Sequence, residues 1–246
     1  FGSFKTQQDI VQNPTSLLPA SWTLENFFNG WKGFGNTTFA TFFLNSFMIT
    51  ILSVLGQVAS SAVVAYGFAR TRFKGRAVWF AIMVATMMMP SQVLIIPQYI
   101  MFNKFGWINT WLPLIVPGFF GMPFFIFLIY QFMQNIPQAL DEAAFIDGCS
   151  KYSIFGRIVL PLIKPALVTS MIFAAYWKWG DFFSPMIYLT DIKKYTLSVA
   201  LKMFTDPAAQ SDWGAMATLS VLPVVILFFC FQKYLVEGIS TSGLKG

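Results

Sequence analysis

Long runs without any charged side chain constrain this sequence more than any other feature. No Asp, Glu, Lys or Arg occurs from 33 to 69, from 77 to 103, from 105 to 140 or from 213 to 232. A helix of about 20 apolar residues crosses the hydrocarbon core of a bilayer, and each run reaches that length. The pattern therefore predicts an all-α polytopic membrane protein.

The uncharged runs predict five spans, and composition agrees with a chain built for lipid. The predicted spans are 40–69, 77–100, 110–134, 158–185 and 213–232. Charged residues make up 11% of the chain and hydrophobic residues 56%, whereas soluble domains carry about 25% charged residues. The fourth span is less pure, because Lys164, Lys178 and Asp181 fall inside it or at its ends.

A basic cluster predicts the orientation of these spans. Segment 70–76 holds four basic residues and no acid, which is typical of a cytoplasmic loop; the alternative is a phosphate-binding patch. Alternation then makes 1–38 an extracytoplasmic segment, 39–236 the transmembrane domain, 135–157 a cytoplasmic loop and 237–246 a cytoplasmic tail. The first residue is Phe1 rather than Met, and a further N-terminal span is expected before it.

The loop between the third and fourth spans reads as a compact helix–Gly–helix unit. Pro137 suits the beginning of a helix, and Asp141 with Glu142 would complement its positive end. Gly148 is a typical residue to end this helix, and Ser150 could cap a second one. Such a unit offers another protein close access to its backbone, although it could also be an ordinary linker.

The spacing of this loop resembles the EAA loop of ABC importer permeases. Glu-Ala-Ala at 142–144 is followed by Gly148, Ile158, Leu160 and Pro161. In that family the loop forms a coupling helix that docks into a cleft of the cytoplasmic ATPase. The resemblance implies the following ATPase-coupling residues: Asp141, Glu142, Ala143, Ala144, Asp147, Gly148, Ile158, Leu160 and Pro161.

Other segments resemble the carbohydrate branch of these permeases. Segment 65–70, Ala-Tyr-Gly-Phe-Ala-Arg, is similar to its first inner loop, and segment 89–93 with Pro97 is similar to its kinked third helix. The ending Gly243, Leu244, Lys245, Gly246 resembles the tail of the maltose-type MalG subunit, where the tail reaches the ATPase dimer interface. The family's complete subunit is expected to contain six helices.

The resemblance implies the partners that a single chain of this kind requires. These are a second MalF-like permease subunit, two ATPase subunits that bind ATP-Mg, an extracytoplasmic sugar-binding protein, a carbohydrate substrate and membrane lipid, with no nucleic acid. The chain has no G-x-x-x-x-G-K-[ST] motif, and no catalytic residue, metal site or cofactor of its own is expected. Because it contains no histidine, His-based triads and His metal ligands are excluded.

Polar and aromatic residues within the spans are candidates for a carbohydrate path. Buried polar groups are expensive in lipid and tend to face a bundle interior or a wet cavity. The candidates are Asn45, Gln92, Tyr176, Trp177, Trp179 and Asp181. The alternative is that they pack helices or anchor them at the interface. A permease for another small solute and a secondary transporter remain alternative functions.

Overall fold

The computed structural model describes residues 1–32 and 36–203, without the side chain of Ser91. The regular elements within these ranges are helical. They are α1 (Gln7–Gln12), α2 (Glu25–Lys32), α3 (Phe39–Arg70), α4 (Arg76–Thr86), α5 (Ser91–Lys104), α6 (Leu112–Ile115), α7 (Pro123–Gln134), α8 (Ala139–Ile146), α9 (Lys151–Ile154), α10 (Leu160–Leu162), α11 (Lys164–Trp179), α12 (Phe183–Tyr188) and α13 (Leu197–Met203). Short 3₁₀ helices cover Gly2–Phe4, Val116–Phe120 and Ile192–Lys194, and a π-helical turn covers Phe155–Val159.

Two segments in the described part are long and apolar enough to cross a membrane. They are α3, with 32 residues, and the segment Leu112–Gln134 formed by α6, a 3₁₀ turn and α7. These closely match the predicted spans 40–69 and 110–134. At 1.5 Å per residue, α3 is about 48 Å long, so it exceeds a hydrocarbon core of about 30 Å.

The predicted span 77–100 is divided into two helices. Helix α4 ends at Thr86 and α5 begins at Ser91, with Pro90 in extended conformation immediately before α5. Proline lacks a backbone N–H and disfavours helical geometry at the residue before it. The sequence predicted a kink here, and the structure has a complete break.

The predicted span 158–185 is also interrupted. Lys151–Leu162 and Lys164–Trp179 meet at a bend of 74°, and together they count as a third candidate span. Ile163 separates the two parts, and prolines at 161 and 165 flank it. The helix then ends at Trp179, earlier than the prediction. The predicted span 213–232 lies outside the described residues.

The described residues fall into two compact units. The first contains 1–49, 108–111 and 179–203. Its core joins the beginning of α3 to α13 through Phe39, Phe42, Leu197 and Ala200. The hydroxyl of Ser46 accepts the Leu197 N–H at 2.7 Å, which satisfies a free donor at the beginning of α13.

The second unit contains 50–107 and 112–178 and carries the loop that the sequence singled out. Its main core combines small residues of α3 with larger residues of α7, α9 and the π-helical turn. Its members are Ala62, Ala65, Ala69, Ile126, Ile129, Met133, Ala144, Ile154, Val159 and Ile163. Small residues on one face allow helix backbones to approach closely, as is common between membrane helices.

Candidate functional site

The loop between α7 and α10 contains two short helices joined by a left-handed glycine. Helix α8 ends in a Schellman motif: the Cys149 N–H donates to the Ala144 carbonyl at 2.9 Å, and the Gly148 N–H donates to the Phe145 carbonyl at 3.0 Å. Gly148 has φ +81°, a conformation that glycine adopts at little cost. This geometry confirms Gly148 as the predicted end of the first helix.

Helix α9 begins at the predicted cap. The Ser150 hydroxyl accepts the Ser153 N–H at 3.3 Å, which is the usual arrangement at an N-cap. The helix passes directly into the π-helical turn Phe155–Val159. Such turns are rare and often occur at functional sites.

Arg70, at the end of α3, fixes the beginning of this loop. Its guanidinium Nη2 donates to the carbonyls of Met133 at 3.2 Å and Ile136 at 2.8 Å. Its Nε lies 2.9 Å from Oδ2 of Asp141, and the Arg70 side chain is only 5% exposed. A cation at a helix C-terminus stabilises the last carbonyls, so Arg70 joins three elements: α3, the end of α7 and the first turn of α8.

Apolar contacts hold the remainder of the loop against the second unit. Ala144 is buried in its core, with Ile158 and Leu160 packed at the edge. The ring of Tyr66 lies 4.8 Å from that of Phe155, and its hydroxyl donates to the Lys151 carbonyl at 3.1 Å. The motif residues at 158 and 160 therefore help to seat the loop.

The loop also exposes four large apolar or aromatic side chains, which are together named here the knob face. Its members are Leu140, Phe145, Ile146 and Tyr152, with exposed fractions of 44%, 66%, 83% and 90%. The small Ala143 is also exposed among them. Exposed large apolar side chains concentrated in one short loop are a feature of protein interaction sites.

The predicted coupling residues divide between the two sides of the loop. Glu142, Ala143, Asp147, Gly148 and Pro161 are exposed. Asp141 pairs with Arg70, and Ala144 faces the chain's own core. Because α8 presents positions about 100° apart, neighbouring alanines face different surroundings. The predicted tail residues 243–246 lie outside the described part.

Among the predicted path residues in the first unit, each has a structural contact. Asn45 is buried, and its amide donates to the Lys193 carbonyl at 2.8 Å and the Tyr195 carbonyl at 2.9 Å. The ring of Trp179 packs edge-on against Phe43 at 5.5 Å. Asp181 accepts the Ser184 N–H at 3.1 Å near the beginning of α12.

The path candidates in the second unit are more exposed. Tyr176 is 74% exposed and Trp177 42% exposed. The Trp177 ring also packs against Phe124 at 5.0 Å and Phe125 at 5.5 Å. Gln92 is exposed in the first turn of α5. Tyr176 is thus the most accessible aromatic candidate of this set.

Sequence reasoning missed two positions that organise their surroundings. Arg70 was interpreted only as one charge in a basic cluster, whereas its side chain is buried and paired. Asn109 has φ +60°, and its Oδ1 accepts N–H groups of Thr190 at 3.2 Å and Asp191 at 3.0 Å. The tolerance of Asn for left-handed backbone was the available signal at position 109.

The chain matches known transport proteins over most of its length. Residues 57–241 match the family model described as "Binding-protein-dependent transport system inner membrane component". The probable ABC transporter permease YurM of Bacillus subtilis is 38% identical over 248 positions, which cover 99% of this chain and 81% of that protein.

Two further relatives carry sugar names. The arabinooligosaccharide permease AraQ of Halalkalibacterium halodurans is 31% identical, with 99% of this chain and 88% of that protein covered. The probable starch degradation products permease AmyC of Thermoanaerobacterium thermosulfurigenes is 32% identical, with the same coverage. A crystal structure of a bacterial ABC importer of the polysaccharide alginate shares the fold, with a TM-score of 0.82, 24% identity and coverage of 95% and 87%.

Proposed function

Because this chain belongs to the family of binding-protein-dependent transport system inner membrane components, a family of transport subunits rather than enzymes, we propose that it is the permease subunit of an ATP-driven oligosaccharide importer. In this proposal it forms the translocation path with a second MalF-like permease subunit. An extracytoplasmic binding protein delivers the sugar, and two cytoplasmic ATPase subunits supply the energy.

The knob face is the observation that carries the coupling part of this proposal. Four large side chains of the loop, at 140, 145, 146 and 152, are exposed. The other side is tied to α3 and α7 by the Arg70 contacts and the buried Ala144. Because the loop is attached to α3 and α7, a movement of a bound ATPase can be transmitted through it to the membrane part.

The Arg70 contacts also support the proposed orientation. Arg72 and Lys74 are exposed directly after α3, and Arg70 connects the same end of α3 to the loop. The basic residues and the knob face therefore lie at one end of the second unit. Since basic loops remain cytoplasmic, this end is proposed to face the ATPases, with five predicted spans in the chain.

The names of relatives support a carbohydrate substrate. Relatives at 31% and 32% identity are named for arabinooligosaccharides and starch degradation products. Uptake of labelled arabinooligosaccharides and maltooligosaccharides by cells carrying the complete importer would test this assignment. Transport of neither sugar, with transport of a non-carbohydrate solute instead, would overturn it.

Co-purification tests the coupling surface. Ile146→Asp places a charge on the knob face, and Leu17→Asp is a matched control because Leu17 is 78% exposed in the N-terminal segment. We expect Ile146→Asp to lose most of the co-purified ATPase, whereas Leu17→Asp retains it. Full ATPase content with normal sugar-stimulated hydrolysis in Ile146→Asp would overturn the coupling role.

A further inference from the structure

Helix α2 has one face that is fixed within the N-terminal segment. The Asn26 side chain is 5% exposed. Its amide donates to the carbonyls of Ser3 at 3.0 Å and Lys5 at 2.7 Å, and Gly30 is buried one turn later. At the beginning of the helix, the Thr23 hydroxyl accepts the Glu25 N–H at 3.1 Å. These contacts determine which face of α2 points away from the segment.

The free face of α2 is apolar. Leu24, Phe27, Phe28 and Trp31 follow the spacing i, i+3, i+4, i+7, which places them on one side of a helix, although Phe27 also packs against the ring of Phe4 at 5.5 Å. Leu24 is 60% exposed, Phe28 70% and Trp31 51%. A groove of about 590 Å³ lies along this face, lined by Phe27, Phe28, Trp31, Lys32 and Thr38.

The groove lies beside the beginning of a membrane span. The Trp31 ring is 6.1 Å from the ring of Phe39, the first residue of α3. Helix α3 is long and apolar enough to cross the bilayer. The apolar face of α2 is therefore held beside the first turn of α3.

We propose that this groove binds a phospholipid of the adjacent leaflet, with an acyl chain against Phe27, Phe28 and Trp31 and the phosphate beside Lys32. Trp side chains are enriched at the membrane interface, long lysine side chains near helix ends extend to it, and amphipathic helices insert their apolar face at the boundary between headgroups and acyl chains. The proposal depends on the membrane location of the family and not on the proposed sugar or on coupling.

Spin labels measure whether the apolar face contacts lipid. The complete importer would be reconstituted in lipid nanodiscs with Cys149 and Cys230 replaced by Ser. A label at Phe28→Cys should collide with oxygen more than with a water-soluble nickel chelate. The control label at Gln12→Cys, an exposed residue of α1, should show the reverse preference. Equal access of the nickel chelate to both labels would overturn the proposal.

Photo-crosslinking identifies the ligand and the role of Lys32. Phosphatidylglycerol and phosphatidylcholine carrying photoreactive acyl chains would be compared on the same complex, with binding protein present. One lysine near an anionic headgroup should favour crosslinking of phosphatidylglycerol over phosphatidylcholine by about fivefold. Lys32→Gln should therefore reduce this ratio to about one. Lys193→Gln, at another exposed lysine, should leave it unchanged. Absence of acyl-chain crosslinks at residues 27, 28 and 31, with crosslinks elsewhere on the complex, would overturn the assignment, while sugar uptake and ATPase content are read separately.

Discussion

A single arginine determines how the knob face is attached to the membrane part. Removing one partner of a buried ion pair costs about 3–5 kcal/mol, because the other charge remains buried. In Arg70→Met the Asp141 carboxylate and the carbonyls of Met133 and Ile136 lose their donor. We expect a lower melting temperature and loss of co-purified ATPase from a subunit still inserted in the membrane.

The neighbouring arginine provides the matched control for this prediction. Arg72 is exposed two residues beyond Arg70, and Arg72→Met removes the same charge. Asp141→Asn should have an intermediate effect, since Arg70 retains the two carbonyls. Equal melting temperatures and equal ATPase content in Arg70→Met and Arg72→Met would contradict this prediction. The buried contacts of Arg70 would then contribute no more than an exposed charge.

Gly148 tests the backbone of the loop independently of packing. A Cβ at Gly148 would meet no heavy atom within 4 Å, yet φ is +81°. Left-handed backbone costs L-residues about 1–2 kcal/mol, and Asn tolerates it better. Sugar-stimulated ATP hydrolysis should therefore decrease in the order Gly, Asn, Ala, Val at position 148.

Gly106 offers a control with the same backbone property. It has φ +70° and no neighbour within 4 Å of an added Cβ, but it follows α5 in a predicted extracytoplasmic turn. Gly106→Ala should lower stability by a similar amount while hydrolysis remains coupled to sugar. Loss of coupling in Gly106→Ala, but not in Gly148→Ala, would contradict a special role of the loop.

Asp9 makes the N-terminal segment sensitive to acid. Its carboxylate accepts the Ala20 N–H at 2.9 Å and the Asn13 amide at 3.1 Å, and these hydrogen bonds lower the pKa of Asp9 below its ordinary 3.8, the Ala20 bond most. Because the pKa is lower in the folded than in the unfolded state, the ionised carboxylate stabilises the fold above pH 3.8. This stabilisation is lost as the pH falls through the pKa of the folded state. Amide exchange of residue 20 should accelerate below that pH, and Asp9→Asn should remove this dependence.

At the scale of elements, the small face of α3 determines where α7 lies. Ala65 is fully buried in the second unit, and a larger side chain there would separate the two helices. Overpacking a core costs about 1–3 kcal/mol. We expect Ala65→Leu to lower the melting temperature and weaken ATPase binding, because α7 leads into the loop. Val63→Leu, at a residue 57% exposed on the same helix, should change neither.

The elements also show which features the sequence could predict. Uncharged length alone located α3 and the segment 112–134, because a span requires a continuous apolar run. The break before Pro90 and the 74° bend were harder to predict. A proline signals a kink, but the size of a bend depends on the neighbours that accept the freed backbone groups.

The site was predictable in its local geometry and not in its long-range contacts. Gly148 predicted a helix end and Ser150 a helix beginning, because a left-handed glycine and an N-cap act within a few residues. The contacts of Arg70 could not be predicted, because its partners lie far along the chain and a hydropathy pattern shows it only as a charged residue. The different surroundings of Ala143 and Ala144 depended on the same tertiary contacts.

For the whole molecule, the proposed orientation predicts which side of the membrane each loop faces. Lys74, Tyr152 and Lys193 are exposed, and the predicted spans place the first two in the cytoplasm and the third outside. In a variant with Cys149 and Cys230 replaced by Ser, single cysteines at these positions would be treated with an impermeant maleimide. Lys193→Cys should react in intact cells, whereas Lys74→Cys and Tyr152→Cys should react only in inverted vesicles. Reaction of Tyr152→Cys and Lys193→Cys from one side would mean that 151–179 does not cross the bilayer, and the proposed alternation of spans would fail.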